Sequence, residues 1–161
     1  MNDFDFKIRE KKIEDNDWVK SVATEQWGSE KIISREKMHH VLTLPGFIAE
    51  KEGKQVGVIL YFIENDECEI VSLYSSIEKN GIGTELMKKV IEESKKGNCK
   101  RVWVLTTNDN TYALKFYQKR GFVLFAVRIN KIEEQRLKKP IPQTGNDGIP
   151  IRDEIELEIF V

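Results

Sequence analysis

The spacing of apolar and polar positions divides the chain into segments of two periods. Apolar residues at every second position, or in short β-branched runs, predict strands. Apolar residues at every third or fourth position predict amphipathic helices. The predicted strands cover residues 4–9, 47–50, 55–63, 68–75, 101–107, 122–127 and 151–161. The predicted helices cover residues 14–27, 83–96, 110–119 and 129–137. Residues 31–41 are ambiguous and fit a short strand followed by a short helix over 35–41.

The order of these elements predicts a mixed α/β (α+β) fold. The strands of the first half follow one another as an antiparallel meander, whereas strands and helices alternate in the second half. We therefore expect a single domain over residues 1–161, built on one curved sheet of about seven strands.

The final predicted strand alternates strictly. Ile155 and Leu157 share one side with other apolar residues, whereas Glu154, Glu156 and Glu158 share the other. Because successive side chains of a strand point to opposite faces, the pattern predicts a half-exposed strand with its glutamates directed outward.

Composition narrows the function classes without selecting one. The chain has 161 residues with 26 Lys and Arg against 27 Asp and Glu, a formal charge of −1. This balance gives no sign of a nucleic-acid partner. Cys68 and Cys99 form neither a disulfide framework nor a metal-ligand spacing, so no metal is expected. No apolar run is long enough for a membrane span, and the acidic N-terminus lacks signal-peptide features. A cytoplasmic protein is the expectation.

The most specific local feature joins the strand over 68–75 to the next helix. Residues 78–84 read EKNGIGT. Glycines allow a ligand to approach the backbone closely, and the N–H groups and dipole of a helix start favour an anion. The turn therefore suits a phosphate or pyrophosphate. It is neither the dinucleotide-binding fingerprint nor a P-loop, because the third glycine and the Lys-Ser/Thr pair are missing.

A second pattern follows the next strand. Residues 110–122 read Asn-x-x-Ala-x-x-Phe-Tyr-x-x-x-Gly-Phe, after the glycine turn and the strand over 69–73. This ordered set resembles the GNAT superfamily of acetyl-CoA-dependent N-acetyltransferases, most strongly over residues 69–122. The resemblance implies a GNAT-like domain with helices on both faces of the sheet. It also implies a V-shaped opening between the fourth and fifth strands, residues 68–75 and 101–107.

The resemblance further implies acetyl-CoA as the cosubstrate and an amine as the acceptor. In the family, the strand backbone holds the acetyl and pantetheine groups, and the glycine turn holds the pyrophosphate. The residues assigned to acetyl-CoA in this way are Val71, Ser72, Leu73, Lys79, Asn80, Gly81, Ile82, Gly83, Thr84 and Asn110.

Direct transfer to an amine in a ternary complex needs a neutral amine, a donor to the thioester oxygen and a proton for the departing thiolate. The resemblance assigns the last role to Tyr117, since a phenol donates at neutral pH, and the alternative is a half-buried core tyrosine beside Phe116. The backbone N–H of Leu73 or its neighbour is the expected oxygen donor. Glu69 is the predicted base because its strand parity matches that of Val71 and Leu73, and the alternative is a solvated residue.

Other groups remain open as the base. Asp109 lies in the loop before the second motif and equally suits a helix cap. His39 and His40 titrate in a suitable range. Asp153 has the parity of apolar residues and would need a partner, either a neighbour of Arg152 or the substrate amine. A chain of water molecules is a further alternative.

Two features leave the activity and assembly open. The family motif usually opens with Gln or Arg before Gly, whereas Glu78 and Lys79 stand here, and the strand glutamate of some members is replaced by Leu105. The alternative function is therefore a catalytically inactive acyl-CoA-binding sensor or regulatory module. The excursion over residues 129–150 is expected either to form a homodimer interface or to cover the sheet.

Overall fold

The computed structural model describes residues 5–161, which form two compact units. The first unit ends at Lys100 and also includes Val161, and the second runs from Arg101 to Phe160. Within the described residues, the units contain nine strands and four α-helices. The predicted mixed α/β class is thus confirmed. The expected single domain stays a prediction. Residues 1–4, which include Asp3 of the acidic N-terminus and Phe4 of the predicted first strand, lie outside the described residues.

The first unit contains a four-stranded antiparallel sheet in the order β1-β4-β5-β6. A separate antiparallel hairpin is formed by β2 and β3. The predicted meander is therefore present. The elements are β1 (Lys7–Glu10), α1 (Asn16–Trp27), β2 (Lys31–Ser34), β3 (Lys37–His40), β4 (Gly46–Lys51), β5 (Lys54–Glu64), β6 (Glu67–Ser75) and α2 (Ile82–Lys96).

The hairpin corrects one expectation. The short helix predicted over residues 35–41 is wrong, because a second strand follows the first there. Arg35 and Glu36 form the turn with positive φ values of 47° and 65°. Such two-residue turns usually contain Asn-Gly or Asp-Gly. The turn here has neither of these residue pairs, so the sequence did not indicate a turn.

Helices pack on both faces of the first unit's sheet, as predicted. Val58 and Leu60 of β5 are fully buried in a core that includes Val19 of α1. Gly57 lies on the opposite face, where a Cβ atom would stand 2.7 Å from Cγ2 of Ile82 in α2. A glycine is therefore needed for α2 to approach the sheet this closely.

The second unit contains a three-stranded antiparallel sheet in the order β7-β9-β8. The predicted extra helix is present as a short helix before β9. The elements are β7 (Arg101–Thr107), α3 (Thr111–Lys119), β8 (Val123–Arg128), α4 (Lys131–Arg136) and β9 (Glu154–Phe160).

The glutamates of β9 are buried, so their predicted outward orientation to solvent is wrong. Arg101 donates to Glu156 at 2.9 Å and to Glu158 at 2.7 Å. Arg128 donates to Glu154 at 3.0 Å and to Glu156 at 2.6 Å. The three carboxylates do share one face, as alternation requires. That face is buried because two guanidinium groups compensate the charges.

Candidate functional site

The glycine turn places backbone N–H groups at an uncapped helix start. Lys79 and Gly81 both have left-handed backbone conformations, with φ values of 62° and 85°. α2 begins at Ile82, and its N-cap residue, Gly81, has no side chain to cap it. The first N–H groups of a helix have no acceptor within it, and the helix dipole adds positive potential at this end. The local geometry therefore suits a phosphate group.

Asn80 adds a side-chain amide to this turn. Its Oδ1 accepts a long hydrogen bond of 3.4 Å from the N–H of Ile82. Its Nδ2 is buried and has no hydrogen-bond partner in the described part of the chain. Leaving a buried donor unpaired costs about 1–3 kcal/mol. An anion bound at the turn would supply the missing acceptor.

A β-bulge interrupts β6 before the turn. The pair Leu60–Ser72 is followed by the pair Tyr61–Ile70, which leaves Val71 without a partner on β5. A bulge frees backbone groups from the ladder and re-aims side chains, and bulges are common beside active sites. The backbone of Val71 therefore lies outside the regular ladder with β5.

The bulge also changes the strand parity. Glu69 pairs with Phe62, whose side chain packs against the α1 core, whereas Leu73 pairs with Ile59. Ile59 is two residues from Gly57, on the α2 face of β5. Glu69 and Leu73 therefore face opposite sides of the sheet, and the parity predicted for them is wrong.

Glu69 forms a buried pair with a histidine of the hairpin. The Nε2 atom of His39 lies 3.2 Å from Oε2 of Glu69, and the side chains are 3% and 7% exposed. The ring of Phe62 packs against the imidazole at a centroid distance of 5.0 Å. The hydroxyl of Ser34, which is also buried, lies near the same carboxylate.

Burial raises the pKa of Glu69 above its ordinary value. The Ser34 hydroxyl, the imidazole of His39 and the more distant Arg35 each lower the pKa, but they offset only part of the effect. A carboxylate with a raised pKa is a stronger base when ionised, and such groups are common at functional sites. The buried environment of Glu69 therefore suits proton transfer better than a solvent-exposed environment would.

In the second unit, Tyr117 is held in an aromatic cluster. Its ring is 5% exposed and lies 5.1 Å from the ring centroids of both Phe116 and Phe122. Burial raises the pKa of Tyr117 well above its usual range, so the phenol is protonated at neutral pH. No hydrogen bond within the described chain engages its hydroxyl. The phenol therefore carries its proton at neutral pH, and the aromatic packing fixes its ring.

Asn110 is the N-cap of α3. Its Oδ1 accepts a hydrogen bond of 3.1 Å from the N–H of Ala113. This bond satisfies one of the unpaired N–H groups of the helix start. The cap leaves the amide nitrogen as the group that can meet a ligand.

Two other candidate bases serve the structure of the second unit. The buried Asp109 accepts hydrogen bonds of 3.1 Å from both the backbone N–H and the side-chain amide of Asn146. Asp153 accepts from Arg152 and from the N–H of Asn130, and these donors hold its pKa below the usual value. The partner of Asp153 is thus Arg152 itself, and a carboxylate of lowered pKa is a poor base.

The cysteines are free and buried. Burial raises the pKa of Cys68 to about 12, which leaves it unreactive at neutral pH. Across residues 5–161, no three or more His, Cys, Asp or Glu side chains are grouped as a metal site would require. None of the helices in that range combines the length and apolar character of a membrane span.

The predicted site residues are distributed over both units. The first contains the base candidate, the strand backbone and the turn, and the second contains Asn110 and Tyr117. No sequence pattern predicts the contact between His39 and Glu69. These residues are 30 positions apart on elements that no local pattern connects. The paired histidines were the only signal, and they were ambiguous.

A family model and several known proteins match this chain. The acetyltransferase (GNAT) family model matches residues 12–122. YdhI of Bacillus subtilis (strain 168) is 42% identical over 149 residues, which is 89% of this chain and 93% of that protein. N-alpha-acetyltransferase 30 of Homo sapiens is 38% identical over 73 residues, which is 43% of this chain and 20% of that protein.

A solved structure has the same fold. The acetyltransferase from Elizabethkingia anophelis with acetyl-CoA bound matches with a TM-score of 0.74 at 21% sequence identity. The match covers 97% of this chain and 98% of that chain.

Proposed function

This chain belongs to the acetyltransferase (GNAT) family, and from that membership we propose that it moves an acetyl group from acetyl-CoA to a primary amine by direct transfer in a ternary complex. The observation that carries the proposal is the glycine turn, whose left-handed residues and uncapped helix start suit the pyrophosphate of a CoA ester. The acetyl-CoA in the solved relative supports the same cosubstrate.

The turn residues would hold the pyrophosphate through the backbone. Gly81, Ile82, Gly83 and Thr84 supply N–H groups at the positive end of α2, and Asn80 supplies its unpaired amide. Lys79 is exposed beside them and adds positive charge, whereas Glu78 is exposed and free to turn toward water.

The strand residues would hold the acetyl and pantetheine groups. The bulge at Val71 releases backbone groups that a regular ladder would use. A backbone N–H of Val71, Ser72 or Leu73 would donate to the thioester oxygen as negative charge develops there. In the second unit, we assign the amide nitrogen of Asn110 to the cofactor, since its oxygen already caps α3.

The chemical step would use two proton-transfer groups. Glu69 accepts a proton from the ammonium form of the acceptor, and its raised pKa suits this role. The neutral nitrogen then attacks the thioester carbon, forming the C–N bond as the C–S bond breaks. Tyr117 gives its phenolic proton to the departing thiolate and regains a proton as the product nitrogen loses its second one. Glu69 then releases its proton to solvent, so that atoms and charge balance over the cycle.

The acceptor is proposed to be either a small-molecule amine or a protein N-terminus. The partial match to N-alpha-acetyltransferase 30 supports an amine as the acceptor class. The formal charge of −1 does not distinguish the two sources.

The alternative is an acyl-CoA-binding sensor without catalysis. Glu78 favours it, because a carboxylate beside the pyrophosphate weakens binding at a position where the family usually has Gln or Arg. A buried, unengaged Tyr117 hydroxyl favours the enzyme, because binding alone does not require a proton donor.

The two functions separate in one assay. The full chain is incubated with acetyl-CoA and a panel of amines and N-terminal peptides, and the free thiol of CoA is measured together with the thermal shift caused by CoA. An enzyme releases thiol only when an accepted amine is present. Thermal stabilisation by CoA without thiol release across the panel would support the sensor.

A further inference from the structure

His39 is a buried titratable group that the proposed steps leave unused. It belongs to the β2–β3 hairpin, whereas Glu69 belongs to β6, so their contact joins two separate strand pairs of the first unit. His40, its neighbour, is 44% exposed and 4.0 Å from Glu30. One histidine of the pair is therefore placed for Glu69, and the other provides a matched control.

The hairpin register explains this placement. Ile32 pairs with His39 and Ser34 pairs with Lys37, so Ser34 and His39 occupy the same face. Phe62 lies against the imidazole on one side. The ring is thus fixed by packing, with Nε2 3.2 Å from the carboxylate.

We propose that His39 is a positioning residue for Glu69. The Nε2–H group of His39 donates to Oε2 of Glu69 and fixes the carboxylate, which leaves the second carboxylate oxygen for the acceptor amine. This inference rests on the proposed role of Glu69 in acetyl transfer. The imidazole favours the ionised carboxylate through this hydrogen bond, and it is among the groups that lower the pKa of Glu69.

The other charged groups around the pair are already engaged. Arg35 lies 3.6 Å from Glu67, and Lys37 pairs with Glu64 while its ammonium lies 4.5 Å above the Phe62 ring. Arg35 lowers the pKa of Glu69 through its charge alone, and this is the smallest of the effects on that pKa. The imidazole and the Ser34 hydroxyl are therefore the polar groups in immediate reach of the carboxylate.

Three substitutions separate positioning from packing. His39→Gln keeps an N–H donor near the place of Nε2, whereas His39→Asn is too short and His39→Leu has no donor. Loss of the donor raises the pKa of Glu69 further, so the acidic limb of the kcat/KM profile moves to higher pH. For His39→Leu and His39→Asn we expect a limb about one pH unit higher, which lowers kcat/KM by roughly tenfold at pH values below the limb's midpoint. His39→Gln and the control His40→Gln keep the wild-type limb.

A second readout needs no turnover. The carboxyl ¹³C resonance of Glu69 is followed against pH in the free protein, where His39→Leu and His39→Asn are expected to raise the midpoint and His39→Gln to preserve it. An unmoved midpoint in the first two variants would overturn the inference whatever their activity. Full activity of Glu69→Gln would instead remove the base from the proposed function, so the two failures are distinguishable.

A separate observation concerns the edge of the second unit's sheet. β8 pairs with β9 on one side and is the last strand of the order, so its other edge pairs with no strand within residues 5–161. Five large apolar side chains on and just after it are 53–70% exposed. They are Val123, Leu124, Phe125, Val127 and Ile129.

β8 has only one of the usual protections of an edge strand. Edge strands are commonly guarded by outward charges, prolines or bulges. β8 has a bulge at Phe125 but no proline. The single charged residue of β8, Arg128, turns its guanidinium inward to Glu154 and Glu156. The exposed apolar side chains offer on the order of 500 Å², more than half of the roughly 800 Å² that each partner of a standard interface buries.

We infer that β8 is an interface between two copies of this chain, paired antiparallel edge to edge about a two-fold axis. A second copy is favoured because an unpaired edge is self-complementary under such symmetry and the apolar residues then cover one another. The interface differs from the excursion over residues 129–150 expected from the sequence and shares only Ile129 with it.

The test is the molar mass in solution over a range of concentrations. The wild-type chain is expected at twice the mass of one chain, and Leu124→Lys with Val127→Lys at the mass of one. Ile13→Lys is the control, since Ile13 is 79% exposed in the first unit and should leave the dimer intact. A wild type that stays at single-chain mass, or a dimer unaffected by the two lysines, would overturn the inference.

Discussion

The Tyr117 phenol retains its proton because two phenylalanine rings exclude water from it. Tyr117→Phe removes only the oxygen, so we expect unchanged CoA binding and a kcat lower by about 10²-fold, the usual contribution of a general acid. Tyr112→Phe is the matched control on the same helix, because Tyr112 is 62% exposed. Steady-state kinetics check both variants, and equal rates for the two would contradict the acid role.

Asp15 provides a pH dependence that is independent of catalysis. Hydrogen bonds from Arg9 lower the pKa of this buried carboxyl from its ordinary 3.8 to about 2. Because the carboxyl of Asp15 ionises more easily in the folded protein than in the unfolded chain, it stabilises the folded protein above pH 3.8. This stabilisation is lost as the pH falls toward 2. We expect about 2 kcal/mol at neutral pH. Denaturant unfolding between pH 7 and pH 2 should lose this slope in Asp15→Asn and retain it in the exposed control Asp17→Asn.

At this scale, the sequence identified residue types but not their partners. The aromatic motif selected Tyr117, and its role as the acid stays a prediction. Glu69 was selected by strand parity, which the bulge at Val71 invalidates, although the residue still lies in an environment that suits a base. His39 was missed because its partner is distant in sequence.

Among the elements, the start of α2 carries a prediction on the turn. Asn80→Ala removes a buried donor that lacks an acceptor in the free protein, so the free protein should lose little stability. The complex with CoA loses the hydrogen bond from the Asn80 amide to the charged pyrophosphate. We therefore expect the affinity for CoA to be about tenfold lower. Calorimetry measures the affinity, and the thermal midpoint of the free protein is the control. An unchanged affinity would place the pyrophosphate elsewhere.

Elements with strong periodicity were predictable, and the irregular ones were not. The stripe of Leu86, Met87 and Val90 predicted α2, and all three are buried. The hairpin turn at Arg35 and Glu36 uses residues without the usual preference for positive φ. The tertiary environment decides that conformation, so single-sequence patterns miss it.

For the whole molecule, stability depends on the buried charges of the second unit. Arg101 is 10% exposed and joins Glu156 and Glu158, so Arg101→Met leaves these carboxylates under-compensated. We expect a loss of about 3 kcal/mol in the free energy of unfolding. Lys100→Met is the control, because Lys100 is 80% exposed and pairs only at the surface with Asp66. Equal stability of both variants in denaturant titrations would contradict this account.

The same network marks the limit of sequence reasoning at this scale. Alternation in β9 placed its glutamates on one face, which is correct, but charge suggested that this face was open to solvent. Gln135 of α4 donates to Glu154, and two arginines from other strands complete the network. Such partners are brought together only by the fold.

Transfer of a labelled acetyl group tests the central claim most directly. The full chain is mixed with acetyl-CoA carrying a deuterated acetyl group and an accepted amine, and mass spectrometry follows the amine, CoA and the protein over time. Direct transfer predicts a labelled amine formed at the rate of CoA release, with the protein unmodified throughout. Binding of CoA with no labelled amine, or a label that first accumulates on the protein, would contradict it.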